Sequence, residues 1–214
     1  MRFFEQFNGE WGQLLGLRRH TFRKAFDFLA NKRPSGHLIV ETGCARQANN
    51  WAGDGQSTYL FDRFASESTG QVFSVDIDPH ACAYARSLVS AATTVATEDS
   101  VPFLRRLGRD LVKAGRHVDL LYLDSFDCDA ANPIPSAVHH LKELCAIMPA
   151  LGPQTLVMVD DAFRTLQAVC AGSADYSIIA DHGIAGKATY VAQFFRQIGI
   201  PIFFEGYQCG WVFD

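Results

Sequence analysis

Apolar and polar positions change period along the chain, and the changes mark its elements. Leu14, Leu15, Phe22, Phe26 and Leu29 fall near i, i+3, i+4, i+7 spacing, with Arg18, Arg19, Arg23 and Lys24 between them. That pattern predicts the beginning of a helical hairpin within residues 10–31. Lys32-Arg33-Pro34-Ser35-Gly36 breaks it. Strand and helix signals then alternate. Strands are predicted at His37–Glu41, Gln71–Asp76, Thr93–Ala96, Val118–Asp124 and Thr155–Asp160, with helices at about 56–67, 79–91, 100–114 and 135–149. Several strands are continuous apolar runs ending in an acid, as expected of parallel strands covered by helices on both faces. Such alternation predicts a right-handed, doubly wound α/β sheet. The tail departs from it: a helix over Lys187–Ile198 precedes Ile200–Glu205 and Gln208–Phe213, which read as a tight antiparallel hairpin. One domain is expected, with residues 1–34 as an N-terminal helical extension or lid and 36–214 as the core.

Composition narrows the function classes. The 214 residues are 48% hydrophobic and 20% charged, with net charge −4. A general nucleic-acid or anionic-membrane binder normally carries a basic excess, so neither partner is expected. No apolar run reaches the roughly 18 residues of a membrane span. Glu5 and Glu10 interrupt the stretch where a signal peptide would be apolar. The six cysteines are scattered, without a C-x-x-C or a Cys/His knot, so zinc is not expected. They read as reduced thiols in a cytoplasmic protein.

Ligands of an open α/β sheet bind at the carboxyl ends of its strands. Here those ends carry Glu41-Thr42-Gly43, Asp76, Asp99-Ser100, Asp124 and Asp160-Asp161. A dinucleotide signature needs G-x-G-x-x-G, whereas the chain offers Gly43-Cys44-Ala45-Arg46-Gln47-Ala48. Asp76 follows Gly43 by 33 residues, against roughly 20 in a dinucleotide fold. The excess is the polar stretch Arg46–Gly53, read as a loop beside a cofactor. A carboxylate at a strand tip, as at Asp76, can accept hydrogen bonds from both ribose hydroxyls.

In order, VETG, GDGQST, SVDIDP, TEDSVPFL, DLLYLDSFD and LVMVDD resemble the motifs of class I S-adenosylmethionine-dependent methyltransferases, from about residue 36 to 214. Within that class the chain is most similar to the metal-dependent O-methyltransferases of the catechol, caffeoyl-CoA and macrolide-sugar types. The resemblance implies a Rossmann-like, mostly parallel seven-stranded sheet with an antiparallel C-terminal hairpin. It implies S-adenosylmethionine held by Glu41, Thr42 and Gly43 near the methionine part, with Ser57 opening the next helix. Asp76 and Ile77 would serve the ribose, Asp99 and Ser100 the adenine. It implies a divalent metal, Mg²⁺, held by Asp124, Asp160 and Asp161, with Asp124 also bordering the cofactor. Two departures stand out: the long Arg46–Gly53 loop, and Asp127 where the catechol enzymes carry a lysine base.

Three converging carboxylates repel unless a cation or protons neutralise them, and all-oxygen ligands suit Mg²⁺. The plain alternative is helix capping by Asp161 and a solvated Asp127. Catalytic candidates are Asp124, His182 and Lys187, the last two in the glycine-rich stretch Asp181–Lys187, where either is placed to act as general base. A loop histidine and a helix-start lysine are the plain alternative. One of His139 and His140 is expected to face solvent, the other to pack. Trp51 is a stacking candidate, and the N-terminal phenylalanines are core, lid or dimer face. The expected reaction is O-methylation of a small hydroxylated acceptor. Rival readings are an NAD-type oxidoreductase and a non-catalytic cofactor-binding module. A homodimer is the commonest oligomer open to it.

Overall fold

The computed structural model describes residues 2–129, 131–162 and 183–213. Helical turns at Arg2–Gln6, Phe7–Trp11 and Gly12–Leu14 lead to a 3₁₀ turn at Gly16–Arg18. Helix α1 (Arg19–Lys32) follows. The helical stretch expected over 10–31 is therefore broken at Gly16, whose φ of +55° ends the first run. The core then runs β1 (Leu38–Thr42), α2 (Ser57–Glu67), β2 (Gln71–Asp76), α3 (Pro79–Leu88), β3 (Thr93–Thr97), α4 (Ser100–Lys113) and β4 (Val118–Leu123). It continues with α5 (Ile134–Ile147), β5 (Leu151–Val159), α6 (Thr189–Gln197), β6 (Ile202–Phe204) and β7 (Cys209–Phe213).

The seven strands lie in the order β3-β2-β1-β4-β5-β7-β6. β7 pairs antiparallel with both β5 and β6, and the other pairs are parallel. This is the doubly wound sheet with a C-terminal hairpin that the alternation predicts. The chain leaves β1 toward β2 and later returns to lay β4 on its other side, so a crevice opens between the ends of β1 and β4.

Strand parity sorts the side chains. Ile39, Leu120, Tyr122, Leu156 and Met158 face a core built with Phe22, Phe26 and Leu29 of α1 and Leu60, Phe61 and Phe64 of α2. Leu38, Val40, Leu121, Leu123, Val157 and Val159 face the other core, against α4, α5 and α6. The N-terminal phenylalanines Phe3 and Phe7 are buried in the first core, packing against Phe26 with ring centroids 4.6 and 5.7 Å away. They are core rather than an exposed face. Among the described residues no helix is long and apolar enough to cross a membrane.

Candidate functional site: a cofactor crevice beside a buried ion network

A cavity of about 210 Å³ lies at the carboxyl ends of β1, β2 and β4, the switch point of the sheet. Gly43 forms its floor. Its φ is +78°, and a Cβ there would lie 2.5 Å from the Asp124 carbonyl oxygen, so the loops after β1 and β4 meet backbone to backbone. Asp76 stands on the β2 side and accepts hydrogen bonds from the backbone N–H of Cys44 (3.1 Å) and Asp78 (2.8 Å), one on each carboxylate oxygen. Ser57, at the start of α2, lines the opposite wall. Among the described residues, the lining carries five acids (Asp54, Asp76, Asp78, Asp124 and Asp127) and one base, Arg46. Arg46 bridges the mouth, donating to both oxygens of Asp127 at 3.0 Å and to Asp54 at 2.9 Å.

Consecutive residues at the end of β1 point to opposite faces of the sheet. Glu41 shares the parity of Ile39 and turns toward α2. There it accepts from Thr58 Oγ1 (2.7 Å) and Ser74 Oγ (2.6 Å), while its Oε1 is buried without a partner. Burial pushes its carboxyl up to about 7, against the nearby Ser57 hydroxyl and the hydrogen bonds of Ser74 and Thr58. Thr42 turns the other way and donates to Glu143 Oε2 at 3.1 Å. Glu143 is fully buried and also accepts from Ser125 Oγ at 2.6 Å. His139 lies 3.3 Å from it. Burial pulls the Glu143 carboxyl up, but His139, His140, Ser100 and Ser125 hold it below its ordinary value.

Asp124, Asp160 and Asp161 come together as their strand-end positions predict, with one carboxylate oxygen from each within 4.8 Å of the others. Two cations of the chain already sit among them. Asp160 keeps the parity of Leu156 and Met158 and so meets the N-terminal extension. Arg18 Nε contacts both its oxygens (3.0 and 3.1 Å), and a second guanidinium nitrogen donates at 2.7 Å. Lys187 Nζ donates to Asp124 Oδ1 and lies 3.1 Å from Asp161 Oδ2. Asp161 has φ +44°, a left-handed conformation costly for a non-glycine residue. Tyr207, in the β6–β7 turn, hydrogen-bonds to Asp161, and its ring carries the Arg18 guanidinium at 4.5 Å.

The charges follow from these contacts. Burial and the neighbouring Asp160 push the Asp124 carboxyl well above its ordinary range, with Lys187 opposing. Asp161 is pulled up by burial, but Lys187, Tyr207 and Arg18 together hold it low. Burial alone would discharge Lys187, yet Asp124, Asp161 and Asp160 raise its pKa. Lys187 is thus a fixed ammonium and a hydrogen-bond donor in this arrangement, not a proton acceptor. All-oxygen donors of this kind suit Mg²⁺. Here, however, each acid already has an oxygen engaged by Arg18 or Lys187, and with these two cations in place the residues as arranged do not fit a resident divalent ion.

Of the expected cofactor residues, Gly43, Ser57, Asp76 and Asp124 line the crevice. Glu41 and Thr42 lie beneath it on opposite faces. Ile77 stands 72% exposed beside Asp76, and Asp99 caps α4 by accepting from Val101 N–H at 2.9 Å. Ser100 is buried and lies 3.0 Å from His139 Nε2. His140 is fully buried, as one of the pair was expected to be, and His139 is largely covered, its side chain 23% exposed. Trp51 packs edge-on to Tyr59 at 5.9 Å. His182 lies outside the described residues. The sequence pattern did not single out Arg18, Arg46, Tyr207 or Glu143. Arg18 carries no local signal except the nearby Gly16 break, and an arginine in an LRRH run reads as a solvated face.

No family model and no curated protein matches the sequence. Solved structures do resemble the fold. The MycE methyltransferase of the mycinamycin biosynthetic pathway, in complex with Mg, SAH and mycinamycin VI, aligns at TM-score 0.54 and 16% identity over 90% of this chain. The chain spans 48% of the length of that protein. NSun6 from Pyrococcus horikoshii with SFG gives 0.48 at 10% identity, over 83% of this chain and 41% of that one. An S-adenosylmethionine-dependent methyltransferase from Clostridium acetobutylicum gives 0.46 at 12%, over 89% and 90%. The strand order and the MycE alignment together establish a Rossmann-like methyltransferase fold.

Proposed function

We propose that this chain is an S-adenosylmethionine-dependent methyltransferase acting on a hydroxyl of a small acceptor. The observation that carries the reading is the charge of the switch-point crevice, five acids against one arginine. Such a lining attracts a sulfonium and ammonium-bearing cofactor and repels the pyrophosphate of a dinucleotide, which counts against the NAD alternative. The Asp76 carboxylate keeps lone pairs free beyond its two backbone contacts, as a ribose diol requires. The unpartnered Glu41 Oε1 lies beneath the crevice, below the expected methionine end.

S-adenosylmethionine supplies an activated methyl group on sulfur. Asp76 holds the ribose hydroxyls. Gly43 and Ser57 shape the methionine side, and Ile77, Asp99 and Ser100 border the adenine. Asp124 is the member of the acid triad that lines the crevice. Its carboxylate would orient the acceptor hydroxyl and take its proton as the oxygen gains the methyl group, the methyl–sulfur bond breaking to leave the thioether S-adenosylhomocysteine. Arg18 and Lys187 fix Asp124 and its neighbours from behind. No step here uses a metal ion.

Calorimetry with S-adenosylhomocysteine tests the reading. Micromolar binding is expected, weakened at least tenfold (about 1.4 kcal/mol) in Asp76→Ala. Absence of binding by the unaltered protein would return the crevice to other ligands.

A further inference from the structure

We infer that Lys187 and Arg18 occupy the positions a divalent cation would take, so that the Asp124–Asp160–Asp161 triad is a closed ion network and the acceptor side works without a resident metal. The Lys187 ammonium bridges Asp124 and Asp161, the two acids that flank the centre of the triad. Arg18 engages both oxygens of the third, Asp160. Three carboxylates against two cations leave at most one negative charge. A dication would have to displace a buried ammonium to reach three oxygens.

Neither cation is a loose surface side chain. The Lys187 side chain is 2% exposed and that of Arg18 5%. Lys187 is pinned by its own backbone, whose N–H donates to the Asp161 carbonyl at 3.2 Å. Arg18 sits in a prepared seat. Its guanidinium donates to the Ala52 carbonyl at 2.7 Å, and a Cβ on Gly55 would lie 2.9 Å from its Cδ. Of the three triad acids, an acceptor entering the crevice then meets the carboxylate of Asp124 alone. A single hydrogen-bond-donating group satisfies it, and a chelating pair of hydroxyls is not needed. This last consequence rests on the methyl-transfer reading; the closed network itself does not. Lys187 is therefore a positioning residue, holding Asp124 rather than touching substrate.

The test is a Mn²⁺ titration of the full chain followed by electron paramagnetic resonance. The unaltered protein is expected to show no saturable binding at millimolar Mn²⁺. Lys187→Met bares the carboxylates and is expected to gain a site at least tenfold tighter, which Lys187→Met with Asp124→Asn loses again. Mn²⁺ binding by the unaltered protein that Asp124→Asn abolishes would overturn the inference. So would a folded Lys187→Met that gains nothing. Should Lys187→Met fail to fold, thermal unfolding of the unaltered protein with and without Mg²⁺ decides. An unchanged Tm supports the closed network, and a rise that Asp124→Asn removes overturns it. S-adenosylhomocysteine binding in the same samples reports separately on the methyl-transfer reading.

Discussion

Arg18 shows how far a single side chain can reach across this fold. It lies 142 residues from Asp160 in sequence, yet the two share a bidentate contact in a nearly water-free setting. A buried pair of this kind gives little net stability over an apolar substitute, but removing one partner strands a charge and costs about 3–5 kcal/mol. Arg18→Met is therefore expected to lower the unfolding free energy by about that amount in urea titrations. Adding Asp160→Asn should restore part of the loss. Strictly additive effects in this double-mutant cycle would show that the pair is not coupled. The acids of the site were legible in the sequence because strand ends announce themselves: an apolar run stops at a carboxylate. Their counter-charges were not: Lys187 stood out only as a candidate base, and Arg18 not at all. Arg18 is brought in by tertiary packing from a helical extension, and Lys187 follows a glycine-rich stretch that reads as a loop. Nothing in local spacing tells a buried cation from a solvated one.

At the scale of elements, period and punctuation were enough for the sheet. The apolar runs that end in acids became β1, β2, β4 and β5 in the expected order, because buried parallel strands have few other ways to look. The misses have local causes. β5 begins at Leu151 rather than Thr155: Gly152-Pro153 reads as a loop, but the Gly152 N–H donates to Thr155 Oγ1 at 3.0 Å and the strand carries on through an irregularity at Gln154, whose φ is +62°. The N-terminal hairpin was obscured because Phe7–Trp11 adopts a π-helical turn, which shifts the apolar spacing away from 3.6. The β1–α2 loop is the element on which the crevice depends. Gly43→Ala would put a methyl group against the Asp124 backbone at a φ of +78°, a strain of about 1–3 kcal/mol. Because the displaced atoms are those of Asp124, S-adenosylhomocysteine affinity should fall along with Tm. Lost Tm with undiminished affinity would mean that the β4 loop moves without disturbing the crevice.

Two of the fully buried titratable groups lie on opposite sides of the sheet, and they pull the pH dependence of the whole molecule in opposite directions. Glu41, on the α2 side, has its carboxyl raised by burial from 4.5 to about 7. Folding therefore binds a proton there, and the stability it confers is present below pH 4.5 and lost as pH rises through about 7. His140, on α5, is lowered by burial from 6.5 to about 4, with Glu143 opposing. It must stay neutral in the folded chain, so its contribution is present above pH 6.5 and lost as pH falls toward 4. At about 1.36 kcal/mol per pKa unit, each swing is about 3 kcal/mol. Between pH 4.5 and 6.5 these two contributions oppose each other. Glu41→Gln removes one of them. Its stability relative to the unaltered protein should rise across that window up to about pH 7 and then hold constant. Urea unfolding at a series of pH values reads this directly. Two curves that run parallel from pH 4 to 8 would mean that Glu41 titrates alike in the folded and unfolded chains, and that its burial beneath the crevice carries no electrostatic cost.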